Sequence, residues 1–209
     1  RPAPSAPATS FPPSARLITL SRGTKETTIN LILNLDGTGH TDITTGLGFF
    51  DHMLTALAYH ARFDLTLHCK GDLYVDDHHS VEDCALALGQ AIDRALGDRR
   101  GITRFAHAYA PLDEALARCV LDLSGRPAPV LNLKLRRDKV GEVSKENLLH
   151  FFHSLAMSLK ASLHLDVLRG SNDHHKAEAA FKSLALALRH AVKIDTTNST
   201  EPPSTKGTL

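Results

Sequence analysis

Between Thr27 and Leu35 the apolar residues Ile29, Leu31, Leu33 and Leu35 alternate with Thr28, Asn30, Ile32 and Asn34, the period of a strand with one buried face. A shorter strand over Leu17 to Leu20 precedes it. Asp36-Gly37-Thr38-Gly39 reads as a hairpin turn into a third strand, about 40–45. Phe49-Phe50-Asp51-His52-Met53-Leu54, after Gly46 and Gly48, opens a helix to about His60, and Phe63 to Cys69 alternates again as a strand. Asp76 or Asp77 can N-cap a helix through Leu96, which Gly97 closes. The order then repeats: strands near 104–111, 115–123 and 129–136, a helix from about 145 to 161, a strand over 162–168 and a helix from about 173 to 192. The pattern is βββαβα twice, an α+β fold.

The repeat reaches individual residues. Asp77-His78-His79-Ser80-Val81-Glu82 returns as Asp173-His174-His175-Lys176-Ala177-Glu178, and the same gapless alignment pairs Leu88 with Leu184 and Ala91 with Ala187. Setting His52 on His150 pairs Leu57 with Leu155, Ala58 with Ala156, Leu65 with Leu163 and Leu67 with Leu165. Internal duplication follows, and it nominates His52 and His150 as equivalent, with His153 competing for the second place. On a helix, His78 and Glu82 share a face, as do His174 and Glu178. Adjacent histidines point about 100° apart, so each pair serves two different ions better than one. His52, His78, His79, Glu82, His150, His174, His175 and Glu178 thus divide into two sets of three histidines and one carboxylate. That mixed N/O set suits a divalent ion with positions to spare, and manganese best. The expected grouping is His78, Glu82, His150 and His175 on one ion, with His52, His79, His174 and Glu178 on the other.

Composition narrows the chemistry. With 24 basic and 23 acidic residues, the net charge of +1 offers no stripe for nucleic acid or an anionic membrane, and no apolar run is long enough to span a bilayer. A small-molecule substrate is expected. Cys69, Cys84 and Cys119 are odd in number and widely spaced, against a disulfide framework or a thiolate site. A reducing, cytoplasmic location is expected; a plastid one stays open if the N-terminus is a trimmed transit segment. The chain divides into a Pro/Ala/Ser-rich flexible extension (1–14), a first half (15–100), a second half (101–195) and a polar C-terminal tail (196–209). Arg104, Arg126, Lys182 and Lys206 are cations able to grip an anionic substrate, Lys182 one turn from Glu178. Ser204-Thr205-Lys206-Gly207 could clasp a phosphate, whereas Leu112-Asp113-Glu114-Ala115 reads as a turn.

These motifs resemble one family. Thr24-Lys25-Glu26-Thr27, Thr45-Gly46-Leu47-Gly48-Phe49-Phe50-Asp51-His52-Met53, the two Asp-His-His segments and Pro203-Ser204-Thr205-Lys206-Gly207 are similar, in order, to imidazoleglycerol-phosphate dehydratase. The resemblance implies two βββαβα halves with helices packed between two mixed four-stranded sheets, of the ribosomal protein S5 domain 2-like type. It implies two Mn2+ per active site, held by the eight residues named above, and a homo-oligomer of 24 copies with sites at subunit interfaces. It favours His150 over His153. Glu26, His52, Arg104, Arg126, Lys182, Ser204 and Lys206 match its substrate-binding positions. The implied reaction converts D-erythro-imidazole glycerol phosphate to imidazole acetol phosphate and water in histidine biosynthesis. The proton removed is not beside a carbonyl, so the ring must be the electron sink, and two ions on its nitrogens would stabilise an imidazolate and then a diazafulvene-like intermediate. Glu178 is the expected base and Glu26 the acid/base at the leaving hydroxyl, with His52 beside them. The rivals are a dinuclear phosphate hydrolase and a metal-storage shell without turnover.

Overall fold

The computed structural model describes residues 16–195 and 202–207, so the expected extension at 1–14 lies outside the described residues. The first half runs β1 (Leu17–Gly23), β2 (Thr27–Asn34), β3 (Thr41–Thr44), α1 (Gly48–Ala61), β4 (Asp64–Gly71) and α2 (His78–Leu96). The second runs β5 (Phe105–Leu112), β6 (Ala115–Asp122), β7 (Ala128–Asn132), a short hairpin of β8 (Lys139–Val140) and β9 (Val143–Ser144), α3 (Lys145–Leu159), β10 (Ser162–Arg169) and α4 (Asp173–Ala191). Both halves make the same mixed sheet, ordered β1-β2-β4-β3 and β5-β6-β10-β7, the last pair parallel and the others antiparallel.

That order corrects one expectation. Asp36-Gly37-Thr38-Gly39 does not join hairpin neighbours, because β4 lies between β2 and β3. The connection is held by the Asp64 carboxylate, whose Oδ1 accepts the backbone N–H groups of Thr38, Gly39 and His40 at 2.8, 3.1 and 2.9 Å. Burial pushes the Asp64 carboxyl up, but these donors outweigh it and hold it below the usual carboxylate range.

The sheets face each other across the four helices. α2 lies on β1 and β2 and α4 on β5 and β6, while α3 packs against α2 and α1 against α4. Apolar strand faces close the layers: Leu31 opposite Leu67 in the first sheet, Cys119 opposite Leu165 in the second, all buried. The core is continuous across the halves. Phe50 from α1, Phe151 from α3 and Phe181 from α4 meet there, with ring centroids 5.5 and 5.0 Å from Phe151. Each fully buried aromatic ring stabilises by about 1.5–3 kcal/mol, so neither half closes its own core. At the α2–α3 crossing, a Cβ on Gly89 would overlap Ser158 Oγ and meet the Leu155 carbonyl at 2.9 Å. Glycine there lets α3 approach and brings His150 to α2.

Candidate active site

Helix packing decides which histidines meet. Because α3 lies on α2, His150 joins the i, i+4 pair of that helix: His78 Nε2 is 3.4 Å and His150 Nε2 3.2 Å from the Glu82 carboxylate, and the two rings stack at 5.0 Å. The crossing of α1 with α4 repeats this, again between the two halves, and there His52 Nε2 and His174 Nε2 lie 3.1 and 3.2 Å from Glu178 Oε2. In each trio two imidazole nitrogens and a carboxylate oxygen all fall within 4.8 Å of one another. His150 Nε2 is buried and, although Glu82 Oε1 is 3.2 Å away, it makes no hydrogen bond among the described residues. An orphaned buried nitrogen costs free energy unless something takes its lone pair, and a divalent ion fits this donor set. His153 stands outside the trio, stacked on His150 at 5.9 Å and exposed.

The aspartate that heads each Asp-His-His segment works differently from the cap expected for α2. Asp77 makes no side-chain cap on its own helix. It accepts Ser144 N–H at 2.7 Å and Ser144 O–H at 2.8 Å, at the start of α3, and so ties the heads of α2 and α3 together beside His78 and His150. Asp76 instead accepts the His78 N–H at 2.8 Å. Asp173 receives the Arg136 and Arg137 N–H groups, and Asn172 caps α4.

The trios are related by the duplication but differ in their surroundings. His78 Nδ1 is 2.9 Å from Asn147 Oδ1. The corresponding position in the first half is Phe49, whose ring packs edge-on against His174 at 5.1 Å. Glu178 is paired with Lys182 Nζ at 2.5 Å, where the first half has Leu86. Burial pushes the Glu178 carboxyl up, yet Lys182 and His52 bring it below its ordinary value, so it is ionised at neutral pH.

Two of the eight predicted ligands stay apart. His79 Nδ1 faces Asp72 at 3.0 Å and His175 Nδ1 faces Glu114 at 2.7 Å, each ring nearly perpendicular to its histidine neighbour. These carboxylates raise the proton affinity of both imidazoles. Within one chain the expected fours are therefore two threes, lacking His175 and His79. Asp72, Asn147 and Glu114 were missed as site residues. A doubled pattern was the available signal; Asp72 and Asn147 have no like residue in the other half, and Glu114 matches Glu26 only by its place in the hairpin.

Of the expected substrate cations Lys182 lies at the Glu178 trio, and the other three gather elsewhere. Arg104 donates to the Asp122 carboxylate at 2.8 Å and to the Pro203 carbonyl at 2.7 Å, which makes it the anchor of the segment bearing Ser204 and Lys206. Its own N–H donates to the Ala191 carbonyl at the far end of α4. Arg126 is exposed in the β6–β7 connection that begins where Leu123 N–H donates to the Arg104 carbonyl. At about 1.5 Å per residue, Glu178 to Ala191 spans about 20 Å, so this basic end is remote from the Glu178 trio of the same chain. Glu26 sits in the β1–β2 turn, which Asp83 clamps to α2 through Arg22 (3.0 Å), Thr24 (3.4 Å) and Thr27.

A family model described as imidazoleglycerol-phosphate dehydratase matches residues 45–188. The chain belongs to the imidazoleglycerol-phosphate dehydratase family. Members are hydro-lyases, and this chain is an enzyme of that class. A curated imidazoleglycerol-phosphate dehydratase from Zymomonas mobilis is 51% identical over 93% of this chain and 99% of its own length. One from Phytophthora nicotianae is 57% identical over 98% of this chain, which spans only 45% of that longer relative. Solved structures agree on the fold. The Staphylococcus aureus enzyme superposes with a TM-score of 0.77 at 34% identity, covering 85% of this chain and 99% of that one. The Pyrococcus furiosus enzyme gives 0.77 at 36% identity, covering 91% and 100%.

Proposed function

We propose that this chain dehydrates D-erythro-imidazole glycerol phosphate to imidazole acetol phosphate, the histidine-biosynthetic step its family is named for, at a site holding two Mn2+ ions. What carries the reading is the pair of His-His-carboxylate trios, placed alike by the two halves and differing in their neighbours. Bound there, His52, His174 and Glu178 would hold one ion and His78, Glu82 and His150 the other, and such ions would supply Lewis acidity toward the two ring nitrogens of an imidazole.

The chain's own groups supply the proton transfers. Glu178, ionised beside Lys182, takes the proton from the side-chain carbon next to the ring. Glu26, exposed on its clamped turn, gives a proton to the hydroxyl leaving the adjacent carbon. The hydroxyl leaves as water with the proton from Glu26, the carbon-bound proton stays on Glu178, solvent exchange restores both glutamates, and the enol that remains becomes the ketone. Lys182, paired with Glu178, lies at the trio, and Arg104, Arg126, Ser204 and Lys206 form the phosphate-gripping end. Their distance from the trios within one chain, and the outward aim of His79 and His175, support an active site built between copies of a homo-oligomer, of 24 subunits on the resemblance. A cytoplasmic setting accords with three free cysteines and with no described helix long and apolar enough to cross a membrane.

The test is turnover of chelator-treated protein. Loss of ketone formation and its return with Mn2+ is the expected result. Release of inorganic phosphate in place of a ketone would identify a phosphate hydrolase, and Mn2+ binding without turnover a storage protein.

A further inference from the structure

His79 and His175 take no part in their own chain's trios, yet neither is loose. Asp72, in the β4–α2 connection, sets both carboxylate oxygens on His79 Nδ1, at 3.0 and 3.2 Å. Glu114, in the β5–β6 turn, sets Oε2 2.7 Å from His175 Nδ1, while its Oε1 accepts the Ser171 and Asn172 N–H groups at 2.9 and 2.8 Å. A ring nitrogen facing a carboxylate carries the proton, so the neutral imidazole keeps its lone pair on Nε2. Among the described residues Nε2 of His175 makes no hydrogen bond, and the exposed Asp113 carboxylate lies 3.8 Å from it, beyond hydrogen-bond range. Nε2 of His79 has no hydrogen bond or ion pair among the described residues.

The two acids come from different places in the repeat. Glu114 belongs to the hairpin that corresponds to the β1–β2 turn, where Glu26 stands, whereas Asp72, the residue after β4, corresponds to Gly170, the residue after β10. In the second half, then, the hairpin acid itself holds the histidine. In the first half Asp72 has that task, and the Glu26 carboxylate makes no hydrogen bond or ion pair among the described residues, although it acts electrostatically on His79.

We propose that Asp72 and Glu114 are positioning residues that present Nε2 of His79 and His175 as the ligands missing from a neighbouring copy's trios, and that Asp72 thereby leaves Glu26 free for proton chemistry. This rests on the two-ion reading above. The geometry is that of a metal-ligating histidine whose second nitrogen donates to a carboxylate, an arrangement whose loss costs metal affinity.

The test is a Mn2+ titration of the chelator-stripped full chain, following free Mn2+ by electron paramagnetic resonance, with thermal unfolding of the metal-free protein as the control for folding. Asp72→Ala should weaken one of the two Mn2+ sites by roughly 10–100-fold, Glu114→Ala the other, and the double variant both. Asp72→Asn, which keeps an acceptor oxygen, should recover most of the affinity, and Glu26→Gln should titrate like the parent. Should Glu114→Ala not fold, Asp72→Ala carries the test alone, since the Asp72 carboxylate accepts no backbone N–H among the described residues. A parent that binds two Mn2+ with Asp72→Ala titrating identically would overturn the positioning role and leave the two-ion reading standing. Weakening by Glu26→Gln equal to that of Asp72→Ala would overturn the division of labour. A parent that binds no Mn2+ overturns both readings.

Discussion

Lys176 is a cation from which water is excluded: fully buried, it donates to Asp173 Oδ1 at 2.8 Å and to the Lys134 carbonyl at 2.9 Å. Asp173 also receives the Arg136 and Arg137 N–H groups at 2.7 and 2.6 Å, so the lysine is central to the network that fixes the start of α4 beside His174 and His175. Lys176→Met removes the cation and leaves a buried carboxylate uncompensated, which should cost about 3 kcal/mol, read as a lower midpoint in urea unfolding. A loss under 1 kcal/mol would mean that the backbone donors satisfy Asp173 alone. Much at this scale was legible in the sequence. Two Asp-His-His-x-x-Glu segments named six of the eight candidate ligands, and the duplication added His52 and His150. Their holders were not legible. Asp72 is seven residues from His79 and Glu114 is 61 from His175; no local pattern tells which acid among 23 will face which ring.

Among the elements, the β2–β3 connection shows how a single side chain replaces a turn. Asp64 opens β4 and collects three backbone N–H groups from 38–40. Because its carboxyl lies below its ordinary value in the folded chain, the folded state binds that proton less readily than the unfolded one. Its contribution is complete above the unfolded value, about 3.9, and is lost as pH falls through the folded value. Asp64→Ala should cost about 3 kcal/mol at neutral pH and less at low pH, so that parent and variant converge in acid; urea unfolding across the pH range checks this. Strands and helices were predicted from period alone because each sheet buries one face and each helix one stripe. β8 and β9 were missed, since two-residue strands have no period, and the expected β2–β3 hairpin failed because the parallel pairing of β3 with β4 is a long-range choice.

For the whole molecule, the proposed site is incomplete in one chain: the trios lack a fourth ligand, and the basic end lies about 20 Å along α4. An assembly that combines one copy's trio with another's phosphate grip predicts complementation. His150→Ala and Lys206→Ala, each crippled alone, should regain ketone formation when metal-stripped, mixed and given Mn2+, to well above the sum of the two. Activity equal to that sum would mean that each copy works with its own residues. The sequence by itself determined the repeat, the order of strands and helices and the identity of the candidate ligands, because alternation, helical spacing and duplication are properties of neighbours along the chain. Only the tertiary structure decided that His150 rather than His153 meets Glu82, that His52 meets Glu178, and that His79 and His175 turn outward. Those outcomes depend on how α3 crosses α2 at Gly89, how α1 lies on α4, and where Asp72 and Glu114 end up. Contacts between residues remote in sequence follow from the packing of whole faces, which no local spacing encodes.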